Sequence, residues 1–111
     1  MRYLLDTYLL LWAGQGSERL SPAAQDLIAS DRNPLFFSAA SMWEIAIKAS
    51  LKRGDFEIDP CEFHRQLLAN DYIELPVVAA HAVEFASLAA RHKDPFDRML
   101  LTQAIHESSH L

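Results

Sequence analysis

Three short apolar runs, Arg2 to Leu5, Leu35 to Phe37 and Ile73 to Leu75, are separated by long stretches with helical periodicity, and this alternation constrains the fold most. Each run is too short for a helix and ends in turn or capping residues, so each reads as a buried strand. Asp6-Thr7 caps a helix opened by Leu9 to Ala13, and Gly14-Gln15-Gly16 breaks it. Ser21-Pro22 supplies an N-cap and a first-turn proline for a helix ending near Ser30, with Leu20, Ala24, Leu27 and Ile28 as its apolar face. Asp31 to Pro34 reads as a turn. A helix from about Ser41 to Leu51 follows, with Met42, Ile45, Ala46 and Ala49 as its stripe, and Lys52-Arg53-Gly54-Asp55 closes it. The pattern predicts further helices over Pro60 to Asn70, Ala79 to Arg91 and Pro95 to Glu107. Strands alternating with helices make βαβ units, hence an α/β fold with a parallel sheet covered by helices on both faces.

A chain of 111 residues forms one domain, 1–111, and buries about two thirds of its unfolded surface. A single cysteine, Cys61, excludes an internal disulfide and agrees with a reducing cytoplasm; without a basic neighbour it is no nucleophile. A formal net charge of -5 excludes the broad basic surface that drives non-specific nucleic-acid binding. Any contact with nucleic acid must then be local and metal-assisted, or supplied by a partner. Asp6 interrupts the apolar start of the chain, at a cost of about 2.5 to 3.5 kcal/mol for an inserting segment, and no stretch reaches the ~20 apolar residues of a membrane span. A cytoplasmic protein without a signal peptide or membrane contact is expected.

Three carboxylates stand where an apolar segment hands over to a turn or helix: Asp6, Glu44 and Asp97. Ligands of open α/β sheets bind beyond the carboxyl ends of the strands, where acids so placed converge. Each acid also has a simpler explanation. Asp6 caps a helix. Ser41-Met42-Trp43-Glu44 matches a capping box. Asp94-Pro95-Phe96-Asp97 is a well-formed helix start, with an acid in the first turn favoured by the helix dipole. Taken together, three such acids on one sheet edge are what a hard, oxygen-seeking cation, Mg²⁺ or Mn²⁺, requires.

His106-Glu107-Ser108-Ser109-His110 is a literal H-E-x-x-H, the zinc-protease pattern. It ends one residue before the sequence does, with no third ligand downstream, so a zinc protease is not the expected reading. His64, His81 and His92 lack ligand-like spacing and read as solvated or hydrogen-bonded surface residues.

Over nearly its whole length the chain resembles the PIN-domain ribonucleases, and among them the VapC-type toxins of toxin–antitoxin pairs. The resemblance rests on Leu4-Leu5-Asp6-Thr7, Leu10-Leu11-Trp12, Leu20-Ser21, Ser38-Ala39-Ala40-Ser41-Met42-Trp43-Glu44-Ile45-Ala46-Ile47-Lys48, Leu75-Pro76, His81-Ala82, and His92-Lys93-Asp94-Pro95-Phe96-Asp97-Arg98-Met99-Leu100. It implies a three-layer α/β/α domain with a short parallel sheet and a metal-dependent endoribonuclease site. Asp6 and Asp97, then Glu44, match the family's acidic positions and are the implied catalytic and metal-binding residues, with Mg²⁺ or Mn²⁺ as cofactor. Asp94 is a further acid close to them, and Arg98 and Lys48 fall where they can contact phosphate or pair with an acid. Tyr8 stands where this branch usually has His. The family continues past the last helix with a strand and a Thr/Ser-x-Asp segment carrying a fourth acid, whereas this sequence stops at Leu111, as a truncated or frameshifted gene would. The expectation is therefore a missing last strand, an exposed first strand and self-association as a homodimer. The resemblance implies hydrolysis of RNA phosphodiesters and a cognate antitoxin as protein partner. The alternative is a catalytically inactive, truncated module that binds an antitoxin or a second copy.

Overall fold

The computed structural model describes residues 2–16, 18–30, 32–51, 58–86 and 94–107. Its elements run β1 (Tyr3–Leu4), α1 (Thr7–Gln15), α2 (Pro22–Ala29), β2 (Leu35–Ser38), α3 (Ala39–Ser50), α4 (Pro60–Ala69), β3 (Ile73–Leu75), α5 (Ala79–Phe85) and α6 (Pro95–His106). The strands form a parallel sheet in the order β1-β2-β3, with Tyr3 opposite Leu35, Phe36 opposite Ile73 and Ser38 opposite Leu75. Among the described residues β1 is an edge strand. The turn at Lys52 to Asp55, the stretch of the fifth helix beyond Ala86, His92 and His110 lie outside the described residues.

Alternation along the strands sorts side chains to opposite faces of the sheet. Leu5 and Phe37 point to one face, where Leu10 and Leu11 of α1, Ile45 of α3, and Phe63 and Leu67 of α4 close a core. Leu4 and Phe36 point to the other, against Leu100 and Ala104 of α6. Two helical layers with a sheet between them give the three-layer α/β/α architecture.

Local chemistry sets the helix ends. Ser21 accepts the Ala24 N–H and Pro22 opens α2, as the sequence predicts. The first helix does not break at Gly14; it runs to Gln15 and stops at Gly16, whose φ of 60° is the left-handed C-cap conformation glycine adopts without strain. Gly14 has a different role. A Cβ there would lie 2.7 Å from Phe63 Cε1, so its hydrogen is what lets α4 pack against α1.

The third helix begins earlier than expected. Ser38, the last residue of β2, is its N-cap and accepts the Ala40 N–H at 3.0 Å. The capping-box reading of Ser41 and Glu44 is therefore wrong: both lie inside the helix and both are buried.

Candidate metal centre at the carboxyl edge

Because α3 starts directly at the end of β2, Glu44 falls in its second turn, facing the start of α1. Glu44 is only 5% exposed, and a carboxylate that deep requires partners. The buried Thr7 hydroxyl donates to Glu44 Oε1 at 2.8 Å. The same hydroxyl lies 3.0 Å from Ser41 Oγ; with its one proton given to the carboxylate, it accepts from Ser41. The other carboxylate oxygen, Oε2, takes a hydrogen bond from Lys48 Nζ at 3.0 Å, one helical turn on. Tyr8 completes the group, its hydroxyl 3.4 Å from Lys48 Nζ and its ring centroid 5.0 Å away. Partial burial by itself would lower the Lys48 pKa, but its hydrogen bonds to Glu44 and Tyr8 together with the Glu44 charge prevail and raise it.

Asp6 lies two residues past the end of β1 and caps α1, its Oδ1 accepting the Leu9 N–H at 2.8 Å. The neighbouring Thr7 hydrogen-bonds Glu44, so the start of α1 and the second turn of α3 meet beyond the carboxyl ends of two adjacent parallel strands. Asp97 stands in the first turn of α6, behind an N-cap in which Asp94 accepts the Phe96 N–H at 2.9 Å. Two contacts orient that helix. Arg2, at the start of β1, donates to the Glu107 carbonyl at 2.8 Å, and Phe96 packs edge-on against Trp43, the residue before Glu44, with centroids 5.3 Å apart. The end of α6 thus lies beside the beginning of β1, and its start, with Asp97, lies toward the carboxyl edge.

The structure joins Asp6 and Glu44 through Thr7 and carries Asp97 to the same edge through Phe96. The flanking residues have definite positions. Asp94 serves as a helix cap. Arg98 donates to the Phe85 carbonyl at 2.7 Å and stacks 4.1 Å over the Phe85 ring, fastening α5 to α6. Of its two expected roles, Lys48 takes the pairing with an acid. Three carboxylates are the hard oxygen donors that Mg²⁺ or Mn²⁺ selects, and Glu44 already carries a cation on Oε2 in the form of the Lys48 ammonium. The donor chemistry suits a divalent ion, but among the described residues these three do not form a group with ligand atoms within 4.8 Å of one another, as His81, His106 and Glu107 do.

His81 corrects the sequence expectation of a surface histidine: it is 1% exposed. Its Nδ1 accepts the Val78 N–H at 3.1 Å, taking the part a Glu plays in a capping box at the start of α5. Its Nε2 lies 3.0 Å from Glu107 Oε1, and its ring meets that of His106 edge-on at 5.0 Å. His81, His106 and Glu107 can bring ligand atoms within 4.8 Å of one another, so the fold supplies a third group that the H-E-x-x-H pattern lacks. The proton is in the wrong place for a metal. With Nδ1 accepting from backbone, Nε2 keeps its hydrogen and donates it to Glu107, whereas a metal-ligating histidine donates from the opposite nitrogen.

Sequence reasoning gave Thr7 and Ser41 only helix-start roles and His81 a surface position; their contacts with Glu44 and Glu107 come from the fold. Thr7 carried a signal, its adjacency to Asp6; for His81 the signal was the three-residue spacing from Val78.

Beside the acidic edge lies an apolar cleft of about 460 Å³, lined by Ala39, Trp43, Val77, Phe85, Phe96 and Met99 among others. None of the three acids lines it.

A search of curated proteins gives no match. Among solved structures the chain is similar to the crystal structure of VapBC2 from Rickettsia felis bound to a DNA fragment from their promoter, with a TM-score of 0.68, 17% sequence identity, and coverage of 98% of this chain and 84% of that one. At that identity the likeness speaks for a shared fold. The profile of the PIN domain matches residues 3–111, which include the acidic edge and every element that builds it. On that match, and on the parallel sheet that sets its acids at one edge, the chain belongs to the PIN-domain family.

Proposed function

We propose that this PIN domain is a divalent-metal-dependent endoribonuclease, the VapC-type toxin of a toxin–antitoxin pair. The observation that carries the reading is the join of Asp6 and Glu44 across two strands: Thr7 fixes Glu44 Oε1 from the residue next to Asp6. Asp6 and Asp97, with Glu44 beside them, would hold Mg²⁺ or Mn²⁺. The ion would supply Lewis acidity to activate water and positive charge to offset that of the phosphoryl oxygens. The protein's share is positional. The α1 cap holds Asp6, the Thr7–Ser41 pair holds Glu44, and the α6 cap holds Asp97 in its first turn. With a net charge of -5, the chain draws little RNA affinity from its own surface, so binding would lean on the metal.

The likeness to the VapBC2 structure supports a cognate antitoxin as partner. Trp43, Ile47 and Leu51, exposed by 65%, 37% and 58%, form a stripe along α3 suited to an antitoxin or to a second copy in a homodimer. Among the described residues no helix is long and apolar enough to cross a membrane, and the cytoplasm is the proposed setting.

The test is cleavage of an RNA panel by purified protein. Activity should require Mg²⁺ or Mn²⁺, stop on addition of EDTA and fall sharply in Asp6→Asn. Cleavage that survives both chelation and the substitution would overturn the reading.

A further inference from the structure

Glu44 is the most buried of the three acids, and its Oε2 is already in an ion pair. Lys48 is well placed to hold it: the two are four residues apart on α3, with the acid toward the N-terminus, the favoured orientation for such a pair. Tyr8 lies beyond Lys48 on α1 and presents both its hydroxyl and its ring face to the ammonium. The cation is therefore held from two helices, while Thr7 of α1 holds the opposite carboxylate oxygen.

We propose that Lys48 is a built-in counter-ion of the acidic site that a divalent metal must displace from Glu44 Oε2, so that this residue sets the metal concentration at which the site fills. The inference rests on the proposed metal-dependent reading, but makes a separate claim. Two cations cannot share one carboxylate oxygen at close range without repulsion, and the low dielectric around a nearly buried group strengthens that conflict. Without metal, the ammonium prevents a buried, uncompensated charge. With metal, Lys48 would swing out on its flexible four-carbon stem.

The experiment is a Mn²⁺ titration, with free Mn²⁺ counted by electron paramagnetic resonance, on the intact chain and on Lys48→Met, Lys48→Arg and Asp6→Asn. Lys48→Met keeps the apolar stem and removes the charge. Removing a competing, partly exposed ion pair should tighten Mn²⁺ binding by about two- to fivefold. Lys48→Arg keeps the charge and should bind Mn²⁺ as the unmodified chain does. A second readout comes from thermal unfolding. Metal-free Lys48→Met should melt lower than the unmodified chain, and Mn²⁺ should raise its Tm by more, since a ligand stabilises in proportion to its affinity. Equal or weaker Mn²⁺ binding in Lys48→Met, or equal tightening in Lys48→Arg, would overturn the proposal even if Asp6→Asn abolishes binding. Unchanged binding in Asp6→Asn would instead overturn the metal-site reading beneath it.

Discussion

Thr7 Oγ1 stands 2.8 Å from Glu44 Oε1, a buried hydrogen bond between residues 37 positions apart that ties the first helix to the third. It sits beside the N-cap that holds Asp6, so one short segment fixes two acids. Replacing Thr7 with Val keeps the side-chain shape but removes the donor. A hydrogen bond to a charged group contributes about 1.5–3 kcal/mol, and a loss in that range is expected for Thr7→Val in urea unfolding. Thr7→Ser should retain most of the stability. Equal stability for Val and Thr would mean that solvent or Ser41 replaces the bond.

Asp6 has two roles, and one substitution separates them. Asparagine caps helices about as well as aspartate, so Asp6→Asn should cost no more than about 1 kcal/mol of stability, mostly from the lost interaction with the helix dipole. Its Mn²⁺ affinity should fall by roughly tenfold or more, a difference of at least about 1.4 kcal/mol in binding. Asp6→Ala should lose both. If Asp6→Asn lowers stability strongly while binding Mn²⁺ normally, Asp6 is a cap and nothing more.

Gly14 offers a case in which helix propensity gives the wrong sign. Alanine within a helix is favoured over glycine by about 1 kcal/mol. Here the added methyl meets the ring of the buried Phe63 at 2.7 Å, and overpacking of that kind costs about 1–3 kcal/mol. Gly14→Ala should therefore be neutral to destabilising by about 2 kcal/mol. In a Phe63→Leu background the same change should turn stabilising. Additive free energies in that double-mutant cycle would remove the steric argument.

Stability should fall on the alkaline side. Lys48 has its pKa raised above the ordinary 10.5, and burial raises Tyr72 above 10.0. Both groups are favoured in their protonated forms by folding. Their contribution is complete below the unfolded values and is lost as pH rises through the higher folded values. Urea midpoints measured from pH 8 to 11.5 should decline above about pH 10. Lys48→Met and Tyr72→Phe should each flatten that decline, and an unchanged slope in both would contradict the assignment.

The sequence by itself determined the element types, because apolar period and cap chemistry are local. Ile73 to Leu75, Pro22 after Ser21, and Pro95 after Asp94 occur where the pattern puts them. The parallel pairing of the strands followed from the alternation of strand and helix. Local reasoning failed where two local explanations competed. Ser41 and Glu44 fit a capping box by spacing, but Ser38 caps the helix, since its backbone already ends β2 and its hydroxyl also reaches Gln103 Oε1 at 2.5 Å on α6. Only the tertiary structure decided that Glu44 is buried between Thr7 and Lys48, and that His81 is held between Val78 and Glu107. The Glu44–Lys48 and Val78–His81 contacts are local, four and three residues apart, but the Thr7–Glu44 and His81–Glu107 pairs span 37 and 26 residues. No local pattern encodes the two longer pairs, because they are selected by the cost of burying a charge or a donor without a partner.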